Sequence, residues 1–137
     1  MAASADRFCD KQNIFGKKAY LMKASTTIYA GTMVMVDATT GLAEPAADTA
    51  NCHVMGVACK QVTSGATGNY YIEVEYGEFL MNASSITQGG VGDKMYVVDD
   101  QTIDETSPAN NVVAGVLTEY VSATKGWVLV SPYNTAI

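Results

Sequence analysis

The segment Gly31 to Asp37, GTMVMVD, returns about sixty positions later as Gly92 to Asp100, GDKMYVVDD. The echo continues in step: eleven positions after the two glycines stand Leu42 and Ile103, and two further on stand Glu44 and Glu105. Both copies then cross a polar loop to an apolar stretch centred on a glycine, Val54-Met55-Gly56-Val57 and Val113-Ala114-Gly115-Val116. Both close on a glycine-led strand, Gly68 to Tyr76 and Gly126 to Ser131. One set of about four short strands covers a single face, so two sets must pack together or close into a barrel to hide both. Glycines inside such strands mark bends or close backbone approaches. The repeat therefore predicts a mainly β chain, a single compact barrel-like or sandwich-like domain built from two related units, about 31–76 and 92–131.

The strand signals agree. Tyr70, Ile72, Val74 and Tyr76 alternate with Tyr71, Glu73 and Glu75, which assigns the first set to the core and the second to water. Met33–Val36, Val54–Ala58, Met95–Val98, Val112–Leu117 and Trp127–Val130 are short apolar runs bounded by or interrupted at turn residues. The predicted core comprises Met33, Val34, Val36, Ile72, Val74, Val97, Val113, Val116, Val128 and Val130. Helix signals are confined to a turn or two at Ala46–Cys52 and Ser84–Gln88.

Composition bears on what the surface meets. The chain of 137 residues is 48% apolar and only 16% charged, richer in the first and poorer in the second than an average soluble domain. That favours a protein whose surface is partly covered by a partner. No window approaches the roughly 18 apolar residues of a membrane span, and the opening MAASADRFCD lacks the apolar stretch of a signal peptide; synthesis in the cytoplasm and no membrane partner are expected. Charge is unevenly placed. Residues 1–23 hold Arg7, Lys11, Lys17, Lys18 and Lys23 against Asp6 and Asp10, a net +3, whereas the remainder holds three lysines against twelve acids, a net −9. Phosphate repels such a body, so no nucleic-acid partner is expected. The basic leader either docks on an acidic protein surface or solubilises a flexible end.

Chemistry finds little footing. His53 is the sole histidine, and no nucleophile elbow surrounds any serine or cysteine; the chain is read as not an enzyme. Cys9, Cys52 and Cys59 are odd in number and lack zinc-knuckle spacing, so they read as reduced, small apolar residues. Cys52, His53 and Cys59 could supply three metal ligands, but a fourth is not evident. Neither metal nor cofactor is expected. Gly89-Gly90-Val91-Gly92-Asp93-Lys94 has the composition of a phosphate loop, but a strand follows it where a helix is required. Asp99, Asp100, Asp104 and Glu105 lack calcium-loop spacing and read as a solvated acidic turn. Asn82-Ala83-Ser84 fits an N-glycosylation pattern that has no meaning without secretion.

AGTMVMVDATTGLAEPA with HVMGVA, then GNYYIEVEYGEFLM, GGVGDKMYVVDD, NNVVAGVL and GWVLVSPY together resemble the capsid decoration, or cement, proteins of tailed bacteriophages, over residues 25–132. The resemblance implies a small β-rich homotrimer, bound to the outside of an expanded capsid at or near its threefold axes. There it clamps neighbouring copies of the major capsid protein and stabilises the head, as a structural protein of the virion's outer surface. Residues 1–24 fall outside it and are read as a flexible arm preceding a β decoration domain at 25–137. Phe8, Ile14 and Phe15 are its candidate apolar anchors on the capsid, and Arg7, Lys11, Lys17 and Lys18 its candidate charge partners. Removing residues 1–18 deletes no repeated strand, so the body is expected to fold without them. The alternative function is a virion-surface adhesion or carbohydrate-binding β module, with Tyr71 as its free stacking platform.

Overall fold

The computed structural model describes residues 1–132, so the end of the expected β domain at 137 lies outside the described residues. Eleven strands carry the fold: β1 (Lys11–Leu21), β2 (Thr27–Ile28), β3 (Met33–Asp37), β4 (Ala43–Pro45), β5 (Cys52–Ala58), β6 (Val62–Thr63), β7 (Tyr71–Ala83), β8 (Lys94–Asp99), β9 (Thr102–Asp104), β10 (Val113–Ser122) and β11 (Lys125–Val130). The main sheet runs β11-β10-β8-β9-β7-β5-β3-β4, with β1 added to β7. Because β11 also pairs with β7, the ring β7–β9–β8–β10–β11 closes on itself. The chain is thus mainly β with a compact closed barrel core, as the repeat implies. Closure removes sheet edges, which are otherwise templates for unwanted pairing.

The repeat is structural as well as sequential. Strands β3, β4, β5 and β7 take the order β7-β5-β3-β4, and β8, β9, β10 and β11 take the matching order β11-β10-β8-β9. Val34 faces Gly56 and Met35 faces Val54, so Met55 is left over as a bulge. In the second unit Met95 faces Gly115 and Tyr96 faces Val113, leaving Ala114 over in the same way. Both glycines are close-approach positions: a Cβ would sit 2.7 Å from the Glu75 carbonyl oxygen at Gly56, and 2.1 Å from that of Leu129 at Gly115. The turns after β3 and β8 also match, since Asp37 Oδ1 accepts the Thr39 N–H at 2.8 Å and Asp99 Oδ1 accepts the Gln101 N–H at 3.0 Å. Such side-chain acceptance of a backbone donor two residues on initiates a turn without help from tertiary contacts.

Two apolar clusters form. The larger includes Met33, Met35, Val54, Phe79, Met81, Met95, Val97, Leu117, Val128 and Val130; the smaller includes Met22, Ile28, Val34, Ala43, Ala58, Ile72 and Val74. Strand β3 serves both, one with each face. Strand β7 serves them in succession, because Ile72 and Val74 enter the smaller cluster and Phe79, Met81 and Ala83 the larger. Its inward set thus changes from even to odd positions.

That change of phase corrects several expectations. Glu75 is buried, Tyr76 is half-buried, and Tyr70 lies one residue before β7 and is exposed. Val36 and Val116 are half-buried, while the other eight predicted core residues are buried. The only helical turn among the described residues near the expected sites is a 3-10 turn at Gln88–Gly90, and Ala46–Cys52 is not helical.

The expected arm also divides. Residues 1–10 run without regular structure, but Lys11–Leu21 pair with β7 over Tyr71–Phe79. The alternation that marks a strand is masked there by three residues, Asn13 to Phe15, looped out between Gln12 and Gly16.

Candidate functional site

The seven residues proposed from sequence all lie on the N-terminal segment, but the fold treats them unequally. Arg7 is tied down: its N–H donates to the Ala30 carbonyl at 3.0 Å and its Nη1 to the Gly31 carbonyl at 2.9 Å. Asp6 Oδ1 accepts the Ala30 N–H at 2.9 Å. Gly31 is needed for this contact, since its φ of +79° suits glycine and a Cβ would fall 2.4 Å from the Arg7 carbonyl oxygen. Lys11 is engaged as well, with Nζ 2.6 Å from Glu75 Oε1. The Glu75 carboxylate raises the Lys11 pKa by hydrogen bonding. Two of the four proposed cations therefore bind their own body.

The remaining five are exposed. Phe8 is 87% exposed and Phe15 67%; Phe8 lies between the backbone bonds made by Arg7 and Asp10, and Phe15 lies in the loop-out between the paired residues Gln12 and Gly16. Ile14 is partly exposed and rests on Gly77, where a Cβ would lie 2.8 Å from Ile14 Cδ1. The loop-out is clamped by Glu78, which accepts hydrogen bonds from Asn13 Nδ2 and, at 2.6 Å, from Thr118 Oγ1. Those bonds, Asn13 first, hold the Glu78 carboxyl below its usual range. Lys17 and Lys18 follow after Gly16 and are exposed. Ile14, Phe15, Lys17 and Lys18 thus make an exposed apolar and basic ridge on β1 at a bulge, a common device for re-aiming side chains, and Phe8 is exposed on the segment just before the strand.

Asn13, Glu75, Gly77 and Glu78 were not singled out as site residues from sequence. The Gly-Glu pair at 77–78, breaking the alternation of β7, was the available signal.

Elsewhere the chemistry is quiet. The acidic turn is not simply solvated: Asp100 is buried, accepts the Ala3 N–H at 2.8 Å, and is pushed above the usual carboxylate range by burial. Burial raises all three free thiols, Cys59 to about 11, which makes them poor nucleophiles at neutral pH. Cys52 and His53 begin β5, and no group of three metal-ligating side chains converges among the described residues. Tyr70 and Tyr71 both reach water, and a cleft is lined in part by Leu21, Leu42, Thr67 and Asn69. No family model, no curated protein and no solved structure matches the chain.

Proposed function

We propose that this is a structural virion protein that binds the outer surface of an expanded phage capsid, at or near its threefold axes, and stabilises the head. The observation that carries the reading is the exposure of the Phe8 and Phe15 rings, with Ile14, Lys17 and Lys18, on a segment whose flanking residues are bonded to the body. Covering one such ring releases about 1.5–3 kcal/mol, and the flanking lysines select an acidic neighbour. The major capsid protein is the proposed partner, and a homotrimer the proposed assembly, because threefold sites are filled most simply by matching symmetry. Binding confined to the assembled lattice stabilises it by about 2.7 kcal/mol per site at a free concentration 100 times the Kd. Catalysis has no part in this role.

The test is co-sedimentation with expanded, empty capsids. Phe8→Ser with Phe15→Ser, and separately Lys17→Glu with Lys18→Glu, are expected to release the protein while leaving its melting temperature within a few degrees. Undiminished binding by both variants overturns the ridge as the contact surface.

A carbohydrate-binding reading is favoured by one observation, the joint exposure of Tyr70 and Tyr71. Saturable binding on a glycan array, abolished by Tyr71→Ala, supports it; a blank array removes it.

A further inference from the structure

Each half of the barrel enters its first strand through the same turn. In the first half, Gly31 N–H donates to the Ala58 carbonyl at 2.9 Å and Ala58 N–H to the Thr32 carbonyl at 2.9 Å. In the second, Gly92 N–H donates to the Leu117 carbonyl at 2.8 Å and Leu117 N–H to the Asp93 carbonyl at 3.1 Å. Both glycines have positive φ, +79° and +93°. The two turns differ in what lies on them: Arg7 packs on Gly31, whereas nothing stands within 4 Å of the Cβ position of Gly92. The second turn is accessible, with Val91, Gly92 and Asp93 exposed.

We infer that the Val91–Asp93 turn is a second docking site for an extended basic segment, and that its occupant is the Arg7–Phe8 segment of a second copy of this chain. The first half displays the binding mode, with a backbone N–H to the carbonyl before the glycine and a guanidinium to the carbonyl of the glycine itself. Charge favours the same occupant. Asp93 is exposed within the turn, Lys94 follows it, and Glu105 Oε2 lies 2.7 Å from the position of a Cβ on Gly90, two residues before Gly92. Residues 92–132 carry six acids against two lysines, while the leader is net positive. Phe8 gains cover too, because its ring is in water on its own body and the second turn offers Val91, 40% exposed, where the first has Ala30.

The occupant at Gly92 differs in one respect. Val91 N–H is already bonded to the Gln88 carbonyl at 3.3 Å, so the bond that Asp6 makes to Ala30 has no counterpart. Binding in trans is therefore weaker than docking in cis and becomes populated as copies are crowded side by side.

The test needs no capsid, so its outcome is independent of the capsid reading. A synthetic peptide of residues 2–10 is titrated into the isotope-labelled, full-length protein and followed by amide chemical shifts. The expected result is saturable shifts at Val91, Gly92, Asp93 and Leu117, lost when the peptide carries Arg7→Glu and weakened at least several-fold by 0.5 M salt. Gly92→Val in the protein should abolish them while leaving the spectrum of the first half unchanged. Shifts confined to Ala30, Gly31 and Ala58, which report displacement of the protein's own segment, overturn the second site, as does the absence of any shift.

Discussion

Lys11 and Glu75 form an ion pair across β1 and β7, 2.6 Å apart, in which the lysine side chain is 49% exposed and the glutamate 10%. The asymmetry decides the energetics. Removing the lysine strands a carboxylate that water barely reaches, whereas removing the carboxylate lets the lysine swing into solvent. Lys11→Ala is therefore expected to cost about 1–2 kcal/mol in urea unfolding, and Glu75→Gln about 1 kcal/mol or less, the lysine's exposure limiting both. The double mutant should recover part of the first loss. Equal and additive losses would show that the pair is not coupled.

The equivalence of Gly56 and Gly115 makes a sharper prediction. Each lets a bulged strand approach the carbonyl of its neighbour, Glu75 in one unit and Leu129 in the other. An added methyl must push backbone aside at either place, so Gly56→Ala and Gly115→Ala should each cost about 1–3 kcal/mol, Gly115 more, because its clash is the shorter. Gly16→Ala is the control, since its Cβ would meet only Tyr76 Cδ2 at 3.7 Å; it should be close to neutral. Comparable melting temperatures for all three variants would contradict the duplicated bulge.

Much of the barrel was legible because its repeat rests on glycines and valines whose roles are local: a turn, a bulge, a buried short strand. Val54–Ala58 and Val113–Val116 could be read as related strands before any pairing was known. Strand β7 was legible only in part, because its burial changes phase at Val74 and Glu75, adjacent and both buried, and the pattern beyond belongs to the other cluster. Tyr70 was misplaced for a related reason, since alternation carries no information one residue outside the strand. Strand β1 escaped altogether. KQNIFGKKAYL has three residues looped out of register, and Lys17 and Ala19 lie opposite Glu75 and Glu73, so no apolar period survives. The ridge residues are proposed from their charge and apolar content. That Arg7 and Lys11 would turn inward depended on Gly31 and Glu75, partners distant in sequence.

Alkaline pH should destabilise the fold in a defined window. Burial, followed by the charges of Glu75 and Glu73, pushes the Cys59 thiol up to about 11 from an ordinary value of 9.0. Below that ordinary value the thiol is protonated in folded and unfolded chains alike. Between the two values the unfolded chain loses the proton and the folded chain keeps it, so stability falls as pH rises. Tyr20, half-buried and bonded to Tyr76 at 2.7 Å, and Lys11, held by Glu75, are also raised and act in the same direction at higher pH. Thermal melting should drop between about pH 9 and 11, and Cys59→Ala should flatten the earlier part of that drop. An unchanged slope in the variant would mean that the thiol ionises freely in the fold.

Truncation separates the two parts of the N-terminal segment. Removing residues 1–6 deletes the Ala3 bond to buried Asp100 and the Asp6 bond to Ala30, leaving one poorly solvated carboxylate with fewer donors; a loss of about 1–2 kcal/mol is expected. Removing residues 1–18 is a different matter. It deletes the Lys11–Lys18 part of β1, breaks the ion pair with Glu75, and uncovers the edge of β7 from Val74 to Phe79. An uncovered central strand invites pairing with other chains. The longer truncation is therefore expected to lower the melting temperature by more than ten degrees or to aggregate, while the shorter one stays soluble with the same circular dichroism as the full chain. Should the 1–18 truncation melt within two or three degrees of the intact protein, β1 is an accessory to the fold, and the ridge it carries is then free to detach.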